Sequence, residues 1–322
     1  MDLRGGRVLV TGVSGFVGPH VARELTRRGA DVWGAGFERD AVPACVGEGA
    51  VNAYTAGFDV TNAKAVEDLV GRAAPAAIIH LAGQSSAGRS FAIPLETFRL
   101  NATGTWHLLE AVRARAPRAR VLFVGTSEVY GPQPEGSRVA EDAAFRPVSP
   151  YALSKAAADA LAELHARAHG LDVVRTRSFG HTGPGQTPAF AVPSFAQQIA
   201  AIERGDGEPV LRVGNLEVTR DLADVRDVAR AYADLLERGR AGEAYNVCRG
   251  EGVRLTEVVA RLATRARVTV RIEVDPARVR PADVPWLVGD PSRLARDTGW
   301  RAEIPLDRTL GDVLEEWRGA GR

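Results

Sequence analysis

The 322-residue sequence contains very little cysteine and lysine. Its two cysteines, Cys45 and Cys248, are too few and too far apart in the chain to form a disulfide framework or a cysteine metal site. We therefore expect a reducing, cytoplasmic environment and no metal. Of the 41 basic residues only Lys64 and Lys155 are lysines, and the others are arginines. Lysine at position 155 of so arginine-rich a chain is a first clue to a specific role.

The sequence also lacks the features of nucleic-acid-binding and membrane proteins. The formal net charge is +1, without the basic excess of a phosphate-backbone binder. We interpret the arginine-rich stretch at 113–120 as a solvated patch at a helix end. There is no run of roughly 18 apolar residues, as a membrane-spanning helix requires. The amino terminus has no signal-peptide layout. The composition, 45% hydrophobic and 25% charged, is typical of an ordinary soluble globular protein.

Strand-like and helix-like segments alternate through the first half of the chain. Short apolar runs predict strands at 7–12, 30–36, 76–83, 119–127 and 171–178, and amphipathic stretches between them predict helices. This alternation indicates an α/β fold with a doubly wound parallel sheet covered by helices on both faces.

The composition of the sequence changes after about residue 178, where predicted loops become rich in glycine and proline. We expect residues 1–178 to form the main domain. Residues 179–322 should form mainly a smaller mixed α/β C-terminal substrate lobe. Segments around 221–248 should return to the main domain, with a strand at 244–248.

A glycine-rich loop, TGVSGFVG, places Gly12, Gly15 and Gly18 between the first predicted strand and the first predicted helix. In this position the chain can turn tightly, let a pyrophosphate approach bare backbone, and offer the N–H groups of a helix N-terminus to negative charge. The loop therefore predicts a Rossmann-type domain that binds NAD or NADP.

The residues after the second predicted strand leave NAD and NADP open. The stretch Gly34-Ala35-Gly36 has glycine where a carboxylate would bind the ribose hydroxyls and favour NAD. Glu38 could bind a hydroxyl, whereas Arg39 could bind a 2′-phosphate. Asp59 follows another predicted strand and is a candidate contact to the adenine amino group, or a simple turn residue.

The stretch SPYALSK, 149–155, places Tyr151 and Lys155 one helical turn apart. Ser149 can cap this helix, with Pro150 at its first position. An ammonium about 4 Å from a phenol interacts by roughly 4 kcal/mol at an effective dielectric of 20, which corresponds to about three pKa units. We therefore expect Lys155 to lower the pKa of Tyr151 toward neutrality, where a phenol works well as an acid or base.

A second set of polar side chains, Thr126, Ser127 and Glu128, ends the predicted strand at 119–127. Open α/β sheets bind ligands at this carboxyl edge. A hydroxyl there can polarise a sugar carbonyl, and a carboxylate can move a second proton. The alternative is a capping or turn role.

Together these motifs resemble those of the extended short-chain dehydrogenase/reductases, the nucleotide-sugar epimerase, dehydratase and reductase family. The segments that carry the resemblance, in the family's order and across essentially the whole chain, are TGVSGFVG, HLAGQSS, NATGT, TSEVYG, SPYALSK and GPGQ. Within the family, segments such as AGQSSAGRSF, VGNLEVTRDLADVRDV and RPADVPWLVGDP look most like GDP-4-keto-6-deoxy-mannose reductases, with GDP-mannose 4,6-dehydratases close behind.

The resemblance implies an oxidoreductase that uses NAD(P)H to reduce the C4 keto group of a nucleotide-linked 6-deoxy-hexose, foremost GDP-4-keto-6-deoxy-mannose. The alternative is a GDP-mannose 4,6-dehydratase or a nucleotide-sugar epimerase with an internally recycled cofactor. The family also pairs two helices, here about 95–115 and 151–169, across a dimer. We therefore expect a homodimer.

The resemblance also implies roles for individual residues. Tyr151 would be the acid/base, Lys155 its partner and ribose anchor, and Thr126 the hydroxyl at the sugar O4. In the dehydratases, a glutamate at the position of Glu128 removes the C5 proton. Cofactor contacts would come from Gly12, Gly15, Phe16, Val17, Gly18, Arg39, Asp59, Val60, Leu81, Ala82, Gly83, Tyr151 and Lys155. Substrate contacts would come from Ser85, Ser86, Ser127, Gly180, Val192, Pro193, Arg220, Arg280 and Asp283, the two arginines gripping the diphosphate.

Three positions depart from the family pattern. Gly180 stands where the family usually has an asparagine, Leu222 with its neighbour replaces an aromatic and a hydroxyl residue, and Trp286 is unusually bulky. These departures bear on which sugar and nucleotide the site accepts.

Overall fold

The computed structural model describes residues 1–37, 49–279 and 283–319. Three predicted contacts, Glu38 and Arg39 for the cofactor ribose and Arg280 for the diphosphate, lie outside the described residues.

The main sheet has seven parallel strands in the order β3-β2-β1-β4-β5-β6-β10. Their bounds are β1 (Arg7–Thr11), β2 (Asp31–Ala35), β3 (Ala53–Thr55), β4 (Ala77–His80), β5 (Arg120–Thr126), β6 (Val173–Ser178) and β10 (Ala244–Val247). The order 3-2-1-4-5-6 is that of a dinucleotide-binding sheet. Central strands such as β4 are buried throughout, because helices cover both faces. The predicted Rossmann-type α/β fold is confirmed.

Helices form one layer on each face of this sheet. One layer contains α1 (Val17–Arg27), α8 (Val225–Arg238) and α10 (Ser292–Thr298), and the other contains α2 (Ala63–Ala73), α5 (Gly104–Arg115) and α6 (Pro150–His169). In α1, Val21, Ala22 and Leu25 are buried, at the spacing of three to four residues that makes an apolar stripe.

The boundaries of α6 follow from local sequence. The Ser149 hydroxyl accepts a hydrogen bond from the Ala152 N–H at 3.0 Å, and Pro150 occupies the first turn. Gly170 ends the helix with a φ of 66°, a left-handed conformation that costs glycine little. These local signals place Tyr151 in the first turn of the helix.

The helix predicted at 95–115 is interrupted. The structure has α4 (Pro94–Phe98), a π-helical turn at Arg99–Thr103, and then α5. Within the π-helical turn, the Asn101 side chain accepts from the Gln84 N–H at 2.8 Å and donates to the Ser154 hydroxyl at 2.9 Å. Through Asn101, the π-helical turn thus links the loop after β4 to the first turns of α6.

The C-terminal lobe combines helices with short strands. Its helices are α7 (Ala191–Glu203), α9 (Leu255–Ala263) and α11 (Leu306–Gly319), which share one apolar core. Its strands are β7 (Gly180–Thr182), β8 (Val210–Val213), β9 (Thr219–Asp224), β11 (Gly252–Arg254), β12 (Arg271–Val274) and β13 (Trp286–Leu287). Strand β9 pairs with β7, β11 and β13, and β8 pairs with β12. The division into domains at residue 178 stays a prediction.

The remaining helix, α3 (Ala87–Ser90), is one short turn after β4. No helix within the described ranges combines the length and the apolar character needed to cross a membrane.

Candidate active site

A cavity of about 610 Å³ is lined by the carboxyl ends of the main strands on one side and by the C-terminal lobe on the other. From the sheet side come residues that follow β1, β4, β5 and β6, and from the lobe come residues of α7, β8 and β9. Pockets of this size hold small organic ligands.

The glycine loop forms one wall of the cavity. Gly12 has a φ of +73°, and a Cβ there would lie 2.7 Å from the Ala82 nitrogen. A Cβ on Gly18 would collide with the backbone of Val13. Phe16, at the N-cap of α1, makes no side-chain capping hydrogen bond among the described residues. The loop is therefore a bare-backbone cradle at a helix N-terminus, which fits a pyrophosphate group.

Two contacts join this side of the cavity to β7 and to the loop at 183–190 that follows it. The rings of Phe16 and His181 are stacked, with centroids 6.0 Å apart and an interplanar angle of 10°. The His20 ring donates from Nε2 to the Pro184 carbonyl oxygen at 2.9 Å. On the other side, the Gly185 N–H donates to the Glu316 carboxylate at 2.9 Å. The loop is thus held from both the main sheet and the C-terminal lobe.

The four predicted catalytic residues line this same cavity: Thr126, Glu128, Tyr151 and Lys155. Thr126 ends β5, and its hydroxyl shares a hydrogen bond with the Tyr151 phenol. The Glu128 N–H donates to the same hydroxyl at 3.3 Å. The hydroxyl and the phenol therefore meet at the carboxyl edge of the sheet, and the Glu128 charge lies close enough to affect the phenol.

The charge state of Tyr151 differs from our expectation. Burial, with a further contribution from the Glu128 charge, raises the pKa of Tyr151, and the Thr126 hydrogen bond opposes this only partly. Burial also lowers the pKa of Lys155 to about 8, against the charge of Asp159. The predicted lowering of the Tyr151 pKa by Lys155 was wrong for this chain, because the Coulomb argument left out the cost of burying the phenolate.

Polar side chains gather at the lobe end of the cavity. The predicted residues Arg220 and Asp283 form an ion pair there, with Nη2 and Oδ1 3.1 Å apart. The Asn215 side chain donates to the other Asp283 oxygen at 3.2 Å. Arg212 and Arg278 also line this end, and Arg278 donates to the Ser194 hydroxyl at 3.3 Å. We did not predict Arg212, Asn215 or Arg278 as site residues from the sequence. Asn215 and Arg278 lie within a few residues of Arg220 and Arg280, which were predicted.

The structure brings most of the other predicted contacts to the cavity. Those that line it are Gly15, Val17, Leu81, Gly83, Ser85, Ser127, Gly180 and Val192, together with Gly12, Phe16 and Gly18. Further lining residues that the sequence did not indicate are Gln84, Gln186, Phe190, Tyr232 and Leu255. The hydroxyl oxygens of Tyr232 and Ser178 lie 2.6 Å apart and share a hydrogen bond.

Five predicted contacts do not line the cavity in the described structure: Asp59, Val60, Ala82, Ser86 and Pro193. The Asp59 carboxylate accepts from the Thr61 N–H and hydroxyl, both at 2.8 Å, and so stabilises a turn. The Ser86 hydroxyl caps α3 by accepting from the Arg89 N–H at 3.2 Å. Val60 and Pro193 are buried in the core. We therefore leave these residues out of the candidate site.

The three departures from the family pattern have structural explanations. Trp286 does not line the described cavity, because its indole N–H donates to the Ser137 carbonyl at 2.8 Å. Gly180 and Leu222 face each other in the β7–β9 pair. A Cβ on Gly180 would lie 2.7 Å from the Asp221 carbonyl oxygen and 2.9 Å from Leu222 Cδ2. Glycine at 180 therefore leaves free the space that the Leu222 side chain occupies.

Comparison with known proteins gives consistent results. The family model for GDP-mannose 4,6 dehydratase matches residues 9–313. The chain is 35% identical over 317 residues to the GDP-6-deoxy-D-mannose reductase of Pseudomonas aeruginosa, covering 98% of each chain.

Solved structures show the same relationship. The structure of RMD from Pseudomonas aeruginosa complexed with NADPH has a TM-score of 0.84 and 33% identity, covering 98% of this chain and 99% of that one. The UDP-glucose 4-epimerase of Thermus thermophilus in complex with NAD has a TM-score of 0.87 and 32% identity, over 98% and 99% of the two chains.

Proposed function

The chain belongs to the GDP-mannose 4,6-dehydratase family of NAD(P)-dependent nucleotide-sugar enzymes, and we propose that it reduces the C4 keto group of a nucleotide-linked 6-deoxy-hexose. GDP-4-keto-6-deoxy-mannose is the proposed substrate, supported by the full-length similarity to a GDP-6-deoxy-D-mannose reductase. The observation that carries the proposal is that Thr126, Tyr151 and Lys155 share one cavity with the glycine loop and Arg220.

The glycine loop and the N-terminus of α1 would hold the pyrophosphate of NADPH or NADH. At the end of β2, the hydroxyls of Ser14 and Tyr54 fill the space that a side chain on Gly36 would take. Neutral hydroxyls at this place admit either a ribose hydroxyl or a 2′-phosphate, so both cofactors are proposed. The bound cofactor supplies the hydride for the C4 carbonyl carbon.

The chain's own residues supply the proton and the orientation. Because the pKa of Tyr151 is raised, its phenol carries a proton throughout the neutral range and can donate it to the C4 oxygen. The Thr126 hydroxyl orients that oxygen and the phenol together. A reduction needs a proton donor, whereas a dehydratase or an epimerase must first remove a proton from an alcohol. The protonated phenol therefore supports the reductase proposal.

The lobe end of the cavity would bind the nucleotide. Arg220 is held by the Thr219 carbonyl oxygen at 3.0 Å and by Asp283, and it would present its guanidinium to the diphosphate. Asp283 would bind the nucleotide ribose, and Val192 would contact the base. Arg212 and Arg278 add positive charge to the same end.

The proposal is tested with purified protein, GDP-4-keto-6-deoxy-mannose and either NADPH or NADH. We expect loss of the reduced-nicotinamide absorbance together with formation of a GDP-6-deoxy-hexose, identified by mass spectrometry and NMR. An absence of cofactor oxidation with GDP-, UDP- and dTDP-linked 4-keto sugars would exclude the reductase function.

A 4,6-dehydratase or epimerase is the second candidate, favoured by one observation. The Glu128 carboxylate lines the cavity close enough to Tyr151 to raise its pKa, which is where a base for the sugar C5 would stand. A dehydratase would convert GDP-mannose to a 4-keto-6-deoxy product and an epimerase would convert it to an epimeric sugar, in both cases without net consumption of NAD(P)H. Incubation with GDP-mannose and catalytic NAD⁺ or NADP⁺ distinguishes the two candidates.

We also propose a cytoplasmic homodimer with no nucleic-acid partner. Several large apolar side chains on α4, α5 and α6 are exposed, namely Leu95, Phe98, Trp106, Leu153 and Leu164, and a second copy of the chain would cover them. Light scattering after size exclusion should give the mass of two chains. The variant Leu153→Glu should shift it to one chain, and a wild-type mass of one chain would refute the dimer.

A further inference from the structure

A group of metal-ligating side chains lies outside the active-site cavity, where the C-terminal halves of α5 and α6 pack together. Glu110 on α5 and His165 and His169 on α6 each present one ligand atom, and these atoms lie within 4.8 Å of one another. Among the residues that the structure describes, this is the one such group of three. We call it the α5–α6 histidine cluster.

Both ring nitrogens of His165 have polar neighbours in this cluster. Its Nδ1 lies 2.8 Å from the Leu161 carbonyl oxygen, which can only accept a hydrogen bond. Its Nε2 lies 3.0 Å from a Glu110 carboxylate oxygen. The His165 side chain is fully buried, so this nitrogen is held facing the carboxylate at the inner end of the cluster.

The surroundings of the cluster are those of a metal site. A backbone carbonyl that fixes Nδ1–H and leaves Nε2 as the ligand is the usual outer partner of a metal-bound histidine. The Arg113 guanidinium donates to both Glu110 oxygens, from Nη2 to Oε2 at 2.7 Å and from Nε to each oxygen at 3.3 Å, which orients the carboxylate. His169 is exposed and so provides a route for an ion from solvent. Trp106 packs edge-on against the His165 ring, with centroids 5.2 Å apart.

We propose that Glu110, His165 and His169 bind one divalent transition-metal ion of the Zn²⁺ type. Two imidazole nitrogens and one carboxylate oxygen suit this class of ion, with water in the fourth position of a tetrahedron. The ion joins α5 to α6 and stabilises the folded chain, because the three ligands are brought together only by folding. None of the three lines the described active-site cavity, so the inference is independent of the proposed function.

The test uses tag-free protein, stripped with a chelator and titrated with ZnCl₂ at neutral pH by calorimetry. We expect one ion per chain and a rise in melting temperature with Zn²⁺. His169→Ala, a change at an exposed position, should weaken binding by at least ~10-fold, and Glu110→Gln should do the same. The matched control is Glu67→Gln, because Glu67 also pairs with an arginine of α5, Arg115 at 2.7 Å. The control should bind Zn²⁺ as the wild type does.

Trp106 gives a second readout that does not depend on stability. Cu²⁺ bound at the cluster should quench the fluorescence of Trp106, and the quenching should be lost in His169→Ala and in Trp106→Phe. Unchanged Zn²⁺ affinity in His169→Ala would overturn the proposal. So would one ion per two chains, or no saturable binding.

Discussion

The ammonium group of Lys155 donates a hydrogen bond to the backbone carbonyl oxygen of Val124 at 2.8 Å. This contact ties the first turns of α6 to β5 two residues before Thr126. The Lys155 side chain also lies 5.4 Å from the centre of the Phe123 ring and is 9% exposed. A compact ammonium suits this confined place, whereas a planar guanidinium is larger and has a different donor geometry. This accounts for a lysine at 155 in a chain whose other basic residues, apart from Lys64, are arginines.

Replacement of the Tyr151 phenol should stop catalysis without stopping binding. For Tyr151→Phe we expect kcat for keto-sugar reduction to fall by about 10²- to 10⁴-fold, since the general acid is lost. The KM values should change little. The matched control is Tyr245→Phe, whose hydroxyl bonds to Asp297 away from the cavity at 2.9 Å. Wild-type turnover in Tyr151→Phe would exclude this mechanism.

Activity should fall as the pH rises through about 8, because burial lowers the pKa of Lys155 to about 8 and the neutral amine cannot serve as a cation. The profile of kcat/KM at subsaturating cofactor reports this free-enzyme group. In Lys155→Arg, for which we expect weak activity, the fall near pH 8 should be absent because guanidinium stays charged. A wild-type profile that is flat between pH 7 and roughly 9 would contradict the assignment.

The lowered pKa of Lys155 should make the folded chain more stable as the pH rises, whereas it should make the enzyme less active. A lysine whose folded pKa lies below its unfolded value of 10.5 binds fewer protons in the folded state. The contribution of Lys155 to the free energy of unfolding should therefore rise with pH from about 8 to about 10. Urea unfolding of the wild type and of Lys155→Met across this window measures that contribution as a difference.

Arg220 should act on substrate affinity rather than on the chemical step. In Arg220→Lys the paired donors of the guanidinium are lost, and hydrogen bonds to charged groups contribute about 1.5–3 kcal/mol. We expect the KM for the nucleotide sugar to rise at least ~10-fold, with the KM for NAD(P)H unchanged. Arg254→Lys, at an exposed arginine paired with Glu135, is the control. Equal effects on both KM values would argue against a diphosphate contact.

Gly180 should not tolerate the asparagine that the family usually has. The Cβ of Gly180→Asn would lie 2.7 Å from a backbone oxygen, and overpacking of this kind costs about 1–3 kcal/mol. Urea unfolding should show this loss. Gly311→Asn is the control, because a Cβ there meets nothing within 4 Å. An undiminished stability of Gly180→Asn would show that the β7–β9 pair adapts.

Local sequence patterns were sufficient for the large elements. Apolar runs located the strands of the main sheet, and the cap at Ser149 with glycine at 170 marked the ends of α6. The short strands of the lobe were not predictable, because strands of two to six residues are stabilised by pairing with distant segments rather than by their own composition. The π-helical turn at 99–103 was missed for the same reason, since its Asn101 contacts are tertiary.

The sequence by itself determined the fold class, the glycine loop and the identity of the groups able to do chemistry, because these depend on spacing within short segments. Only the tertiary structure decided which of those groups meet. It brought Arg220 and Asn215 to the cavity of Tyr151 and assigned Asp59 to a turn. It also decided the protonation of Tyr151, because the free energy of ionisation depends on burial, and burial is a property of the packed chain.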